Sequence, residues 1–154
     1  MIRLLLVGKT TDKHLETLIA DYQQRLTHYL PFEIKVIPDL KQGKITFEQQ
    51  KTLEGERILA AVAPNSRLIL LDERGKQFRS VDFAAYLQKQ LAATPNITFV
   101  VGGPYGFSQA VYDRADGMLS LSLMTFSHQM IRLLFVEQLY RAMTILRNEP
   151  YHHE

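Results

Sequence analysis

The chain has no cysteine. Disulfides and thiolate metal sites are thereby excluded, and a reducing compartment suits it, so a cytoplasmic location is expected. An apolar run of membrane length is also missing, and the apolar start from Ile2 to Val7 is too short for a signal-peptide core before it meets Gly8 and Lys9. A soluble, unprocessed protein with no membrane partner is expected. No low-complexity segment or internal repeat interrupts the chain, and 46% hydrophobic with 22% charged residues lie in the globular range. At 154 residues there is length for one substantial core and not for two, so residues 1–154 read as a single domain. Charge of one sign is scarce: a formal net charge of +2 is a mild basic bias that helps binding to a polyanion without identifying one.

What is present is an alternation of strand and helix patterns. Ile2 to Val7 reads as a buried strand, after which Leu15, Leu18, Ile19, Tyr22, Leu26 and Tyr29 recur at helical spacing until Pro31. Phe32 to Ile37 is a second strand, Lys41 to Lys44 a basic glycine-containing loop, and Thr46 with Gln49 a capping box opening a helix to Val62. Arg67 to Leu71 gives a third strand, Ser80 caps a helix to about Ala93, and Ile97 to Val101 is a fourth strand. A short helix at Gln109 to Ala115, a fifth strand at Met118 to Leu121 and a long helix from about Ser127 to Leu146 complete an α/β layered fold. A parallel sheet carries its ligand at the carboxyl ends of its strands. Three strand exits, Leu71 to Gly75, Gly102 to Gly106 and Leu121 to Phe126, are therefore expected to line one pocket.

The glycine-rich exit fits neither familiar phosphate loop. Counted from Gly102, the third position of a G-x-G-x-x-G fingerprint is Pro104, and no Gly-Lys-Ser or Gly-Lys-Thr follows to make a P-loop. Proline also removes an amide donor that a phosphate cradle needs. A double glycine followed by proline instead offers a bare, bent backbone that a flat group such as adenine can approach. A tight strand-to-helix turn accounts for Gly102, Gly103 and Gly106 equally well. The exit from Leu121 to Phe126 is mostly apolar but carries the hydroxyls of Ser122 and Thr125, which suits backbone wrapped around a partly apolar ligand, and Ser127 follows as an N-cap.

On the last helix, Glu137, Gln138 and Arg141 form a polar stripe, and Arg132 lies opposite it with His128 one turn earlier. A long cation there is a paired structural charge, a snorkelling side chain or an anion contact. The helix is apolar over more surface than one sheet covers, so a second subunit is expected on the remainder. After Pro150, the tail of Tyr151, His152, His153 and Glu154 combines an aromatic face, two imidazoles and carboxylates. Taken alone, such a tail reads as frayed chain or a weak metal site.

Taken in order, Leu71-Asp72 with Gly75-Lys76, Gly102 to Gly106, Leu121-Ser122 with Thr125, His128 and Arg132, Glu137 with Tyr140-Arg141-Ala142, and Asn148 with Pro150-Tyr151-His152 form a set far more specific than any member. The set resembles the ribosomal large-subunit pseudouridine N3-methyltransferases, a branch of the SPOUT methyltransferases, over the whole chain. The resemblance implies a SPOUT-type parallel-sheet domain with a C-terminal deep trefoil knot at about 67–146, a homodimer, and a tail at 147–154 that contributes to the active site. It implies S-adenosylmethionine bound by Leu71, Gly102, Gly103, Gly106 and the segment Leu121, Ser122, Leu123, Met124, Thr125 and Phe126, and no metal. The implied reaction is methylation of N3 of a pseudouridine in 23S rRNA of the assembled ribosome. Arg132 would contact RNA phosphate or the developing anion, His128 would support that end of the helix, and Tyr151 would stack on or orient the base. His152 and the carboxylates of Glu154 would be the proton acceptors, with the tail acting across the dimer.

Two departures stand out. His153 occupies the place of an arginine in the family's usual tail, so either protonated His153 replaces it or Arg132 and nearby lysines take the RNA contact. Ser127 and Gln129 flank His128 where the family often has prolines. The competing readings are a SPOUT enzyme acting on another ribosomal or transfer RNA nucleotide, a knotted ribosome-binding protein without catalysis, and a flavodoxin-type nucleotide-binding domain, against which the poor phosphate loops argue.

Overall fold

The computed structural model describes residues 1–40 and 43–154. The basic loop expected at Lys41 to Lys44 falls partly on residues 41 and 42, outside the described residues. Strand β1 (Ile2–Val7) is followed by helix α1 (Lys13–Leu26), β2 (Phe32–Ile37), α2 (Phe47–Ala61), β3 (Arg67–Gln77), α3 (Ser80–Ala93), β4 (Ile97–Val101), α4 (Gln109–Arg114), β5 (Gly117–Ser120) and α5 (Met130–Leu146). All strand pairs are parallel, in the order β2-β1-β4-β3-β5. The α/β parallel architecture is as expected. No helix among the described residues is long and apolar enough to cross a membrane.

A central strand covered on both faces must be apolar at every position, which is why β1 and β4 read as unbroken apolar runs rather than alternating ones. Their successive side chains enter two different cores. Leu4, Leu6, Ile69 and Phe99 meet α3 and α5 through Phe83, Phe135 and Leu139, while Leu5, Leu70 and Val100 meet α2 and α4 through Ile58 and Val111. The Phe99 and Phe135 rings lie 4.8 Å apart. A one-residue slip of either strand would exchange the two faces, so both packings hold the register.

The element boundaries differ from expectation where side chains intervene. Helix α1 stops at Leu26, and Tyr29 lies in the turn beyond it with its amide on the Leu26 carbonyl. Its start is capped by Asp12, whose carboxylate accepts from the amides of His14 and Leu15. The Thr46 and Gln49 capping box forms as expected. Ser80 is not a cap: it is the first residue of α3, and its hydroxyl donates to Gln138 of α5 instead. Helix α5 begins at Met130 rather than Ser127, although the Ser127 hydroxyl still accepts the Met130 amide at 3.0 Å.

Strand β3 departs most. It does not end at Leu71 but resumes pairing with β5 at Lys76, leaving Asp72 to Gly75 as a bulge. Asp72 closes that bulge by accepting the Arg74 amide at 2.8 Å, a local bond that competes with ladder pairing. Helix α5 terminates before Pro150 is reached. Asn148 takes φ 56°, Glu149 donates to Thr144 and Asn148 to Ile145, the pattern of a Schellman motif that turns the tail back along the helix.

Candidate functional site

The three strand exits converge. A cavity of about 640 Å³ opens at the carboxyl ends of β3, β4 and β5, within the size range of small-molecule sites. Of the residues expected to bind a cofactor, Leu71, Gly102, Gly103, Gly106, Leu121, Ser122, Met124, Thr125 and Phe126 line it, and so does His128. Leu123 does not. It is 84% exposed, in a turn where the Ser122 hydroxyl accepts the Met124 amide at 3.0 Å.

The glycines of the loop also answer to the protein's own packing and backbone. A Cβ on Gly102 would lie 2.9 Å from the Phe107 ring, and one on Gly103 would lie 2.8 Å from a Glu54 carboxylate oxygen. Gly106 has φ +79°, a left-handed conformation that side chains oppose, in otherwise open space. The tight-turn reading of these glycines therefore holds together with the cavity-lining one, since the loop packs on Phe107 and Glu54 and also lines the cavity.

Reasoning from strand exits reached Asp72 but missed its partner. The Tyr112 hydroxyl of α4 donates to Asp72 Oδ2, and the Arg74 guanidinium lies over the Tyr112 ring at 4.4 Å. All three side chains line the cavity. Burial alone pushes the Asp72 carboxyl up, but the Tyr112 hydroxyl, the Arg74 amide and the Arg74 charge outweigh it and hold the group below its ordinary value. Burial and the Asp72 bond push the Tyr112 phenol up. Nothing in the sequence pairs residues 40 positions apart; Tyr112 carried no signal beyond being a polar-tipped aromatic on a short helix.

Arg132 is placed elsewhere than expected. It has no exposed surface, and within the chain it cannot reach an RNA phosphate. Its guanidinium donates to the carbonyls of Val7, Gly8 and His128 at 2.7, 2.9 and 3.0 Å and to the Thr10 hydroxyl at 3.1 Å. Burial pushes its pKa down and Asp39 opposes the shift. Its place in this chain is structural, but through main-chain carbonyls and a hydroxyl rather than a paired charge: Arg132 gathers the open carbonyl end of β1 and ties it to the turn bearing His128.

The tail residues Tyr151, His152, His153 and Glu154 do not line the cavity. They lie along α5, over what had read as its solvent stripe. Glu137 Oε1 accepts from Arg141 at 2.6 Å and from the Tyr151 hydroxyl at 3.0 Å, and the Tyr22 hydroxyl stands 3.3 Å from that of Tyr151. Burial, Tyr22 and Glu137 push the Tyr151 phenol up. Arg141 stacks over the Tyr151 ring and approaches His152 Nδ1 at 3.1 Å. Because a guanidinium only donates, His152 Nδ1 accepts, and Nε2 is buried with no partner among the described residues. Glu154 pairs with Arg79 at 2.7 Å and His153 is exposed. Cavity and tail are thus separate within one chain.

Comparison with known proteins places this arrangement. The profile of a family described as "Predicted SPOUT methyltransferase" matches residues 1–152. A protein of Parabacteroides distasonis called Ribosomal RNA large subunit methyltransferase H is 58% identical over 99% of both chains. Proteins of the same name from Christiangramia forsetii, 57% identical over 99% of this chain and 98% of that one, and Flavobacterium johnsoniae, 55% identical over 99% of both, are similar to the same extent. The solved SpoU methyltransferase AviRb from Streptomyces viridochromogenes covers 97% of this chain and 61% of its own at 14% identity and a TM-score of 0.49, too distant to bear on the site. With a parallel α/β sheet, a cavity at its carboxyl edge and a family match along nearly its whole length, the chain belongs to the SPOUT methyltransferases.

Proposed function

We propose that the protein is an S-adenosylmethionine-dependent methyltransferase that modifies N3 of a pseudouridine in the 23S rRNA of the assembled ribosome, in the cytoplasm. The observation that carries this reading is the convergence of three strand exits on one cavity of about 640 Å³. Its lining fits the cofactor. Leu71, Val101, Leu119 and Ile131 offer apolar wall for a flat ring, and the main chain of the glycine loop and of residues 121–126 offers polar groups at its rim. Bound there, S-adenosylmethionine supplies a methyl group on a positively charged sulfur that leaves as a neutral thioether. The relatives' name supports ribosomal RNA of the large subunit as the substrate class.

N3 of a uracil-type ring carries a proton that must depart as the N–C bond forms, so the site needs a base or a cation that stabilises the imide anion. The cavity lining offers His128 on one side and Arg74 on another. The tail groups lie along α5 of their own chain, so the reading assigns them to the cavity of a second copy: Tyr151 orients the base, and His152 or a Glu154 carboxylate takes the proton once the tail's own contacts open. Leu123 and Met124, 84% and 77% exposed beside the cavity, support a covering subunit. Residues 67–146 carry the knot in this reading, and 147–154 form the contributed tail.

The test is methyl transfer from labelled S-adenosylmethionine to ribosomes lacking the modification, followed by mapping of the labelled nucleoside. Label on N3 of a pseudouridine in 23S rRNA is expected. Label on a different nucleotide would replace the substrate, and no label on intact ribosomes that the protein still binds would make it a non-catalytic binder.

A further inference from the structure

Beneath the glycine loop lies a carboxylate that the proposed reaction does not use. Glu54, in the middle of α2, is 7% exposed, and its Oε1 accepts the Gly103 amide at 3.2 Å. The Gly103 carbonyl in turn accepts the Gly106 amide at 3.3 Å, so both main-chain groups of Gly103 are engaged. Among the described residues this is the single side-chain hydrogen bond that holds the Gly102 to Gly106 segment.

Among the described residues, no cation pairs with this carboxylate. Among the described residues the charge that acts on it is Asp39, which follows β2. Arg57, on the next turn of α2, turns its guanidinium to the Pro38 carbonyl at 3.1 Å, and the charge that acts on Arg132 is likewise Asp39. Where α4 begins, the neutral Ser108 side chain packs against the neighbouring Gly55. Burial pushes the Glu54 carboxyl up, the Gly103 bond opposes it, and Asp39 adds to the rise. A buried carboxylate without a cation lowers stability, so its presence asks for a use outside the core.

We propose that Glu54 is a positioning residue for the cofactor cavity: ionised, it draws in the Gly103 amide and sets the loop that forms the cavity wall, and protonated, it releases that hold. The proposal rests on the cofactor reading above for its consequence, but not for its geometry. A charge-assisted bond is roughly twice as strong as a neutral one, so protonation weakens the anchor without removing the side chain. The loop then loses definition as pH falls through the raised pKa of Glu54, and cofactor affinity falls with it. Fold stability moves the other way. A carboxyl whose folded pKa is raised binds protons more readily in the native state, so stability increases as the group is protonated and decreases as pH rises through that pKa.

The variant to compare is Glu54→Gln, which keeps the shape and an acceptor oxygen but not the charge. In wild-type protein without ligand, the Gly103 amide resonance is expected to titrate with a midpoint above the ordinary glutamate range, and in Glu54→Gln to stay fixed. By calorimetry the variant should bind S-adenosylmethionine on the order of tenfold more weakly at neutral pH. That affinity should no longer depend on Glu54 protonation, and the melting temperature should be unchanged or higher. A wild-type Gly103 amide that does not respond to pH, or a variant that loses melting temperature together with affinity, would overturn the proposal. If Gly103 titrates as expected but wild-type protein binds no S-adenosylmethionine, the positioning stands and the cofactor reading fails.

Discussion

The cavity and the tail hold the two halves of the proposed chemistry in opposite states. At the strand ends, polar side chains such as Asp72 and Tyr112 bond to each other and still line open space. Along α5, the tail groups are turned onto their own chain, with Tyr151 and Arg141 both spent on Glu137. The cavity is preformed, as a site for a small ligand usually is, whereas the tail must exchange one set of partners for another before it can act. In the proposed reading, the difference means that a single chain presents a binding site for the methyl donor and keeps the acceptor-side groups in reserve. It also separates the two functions for experiment.

The largest expected effect tests that separation directly. Deleting residues 150–154 leaves the Schellman turn at Asn148 in place and removes every tail group expected to handle the base. Methyl transfer to ribosomes should fall by roughly 100-fold or more, the scale of a lost acid–base group, while calorimetry finds S-adenosylmethionine affinity within about twofold of wild type. Loss of cofactor binding in the deletion would break the comparison, because cavity and tail would then be one unit.

Arg132 bears on the other half. Replacing it by methionine keeps bulk but leaves the carbonyls of Val7 and Gly8 without their donors in a buried site. Each unpaired carbonyl costs about 1–3 kcal/mol, so urea unfolding should reveal a loss of about 2–6 kcal/mol. A variant as stable as wild type that has lost only methyl transfer would return Arg132 to the RNA contact that the family resemblance implied.

How much of this was legible in the sequence depends on distance along the chain. Periodicity found every strand and helix because each is a local pattern, and the capping box at Thr46 and Gln49 is local too. The rule that ligands sit at strand ends then reached the cavity. It could not reach the bulge at Asp72 to Gly75, since apolar periodicity stops at Leu71 and the resumed pairing at Lys76 is set by β5, more than 40 positions away. Arg132 illustrates the same limit. The helical wheel placed it opposite the polar stripe, but its partners are the carbonyls of β1 at the far end of the sequence. Leu123 was assigned to the ligand with its neighbours, but it is exposed in a turn where the Ser122 hydroxyl accepts the Met124 amide.

The smallest expected effect sharpens the view of the cavity as a prebuilt site. Because its surroundings hold the Asp72 carboxyl below its ordinary value, the ionised group stabilises the folded state. That contribution is complete above the unfolded aspartate pKa of about 3.9 and is lost as pH falls through the lower folded value. Asp72→Asn removes the charge and keeps one acceptor oxygen for the Arg74 amide, while its NH2 group takes the place of the oxygen that accepts from the Tyr112 hydroxyl, so about 1 kcal/mol should be lost at neutral pH. In acid the variant and the wild type should converge, as both then carry a neutral group at this position. Equal stability of the two at neutral pH would mean that Asp72, Tyr112 and Arg74 are held by the loop around them rather than holding it, and the rim of the cavity would then be shaped from the glycine side alone.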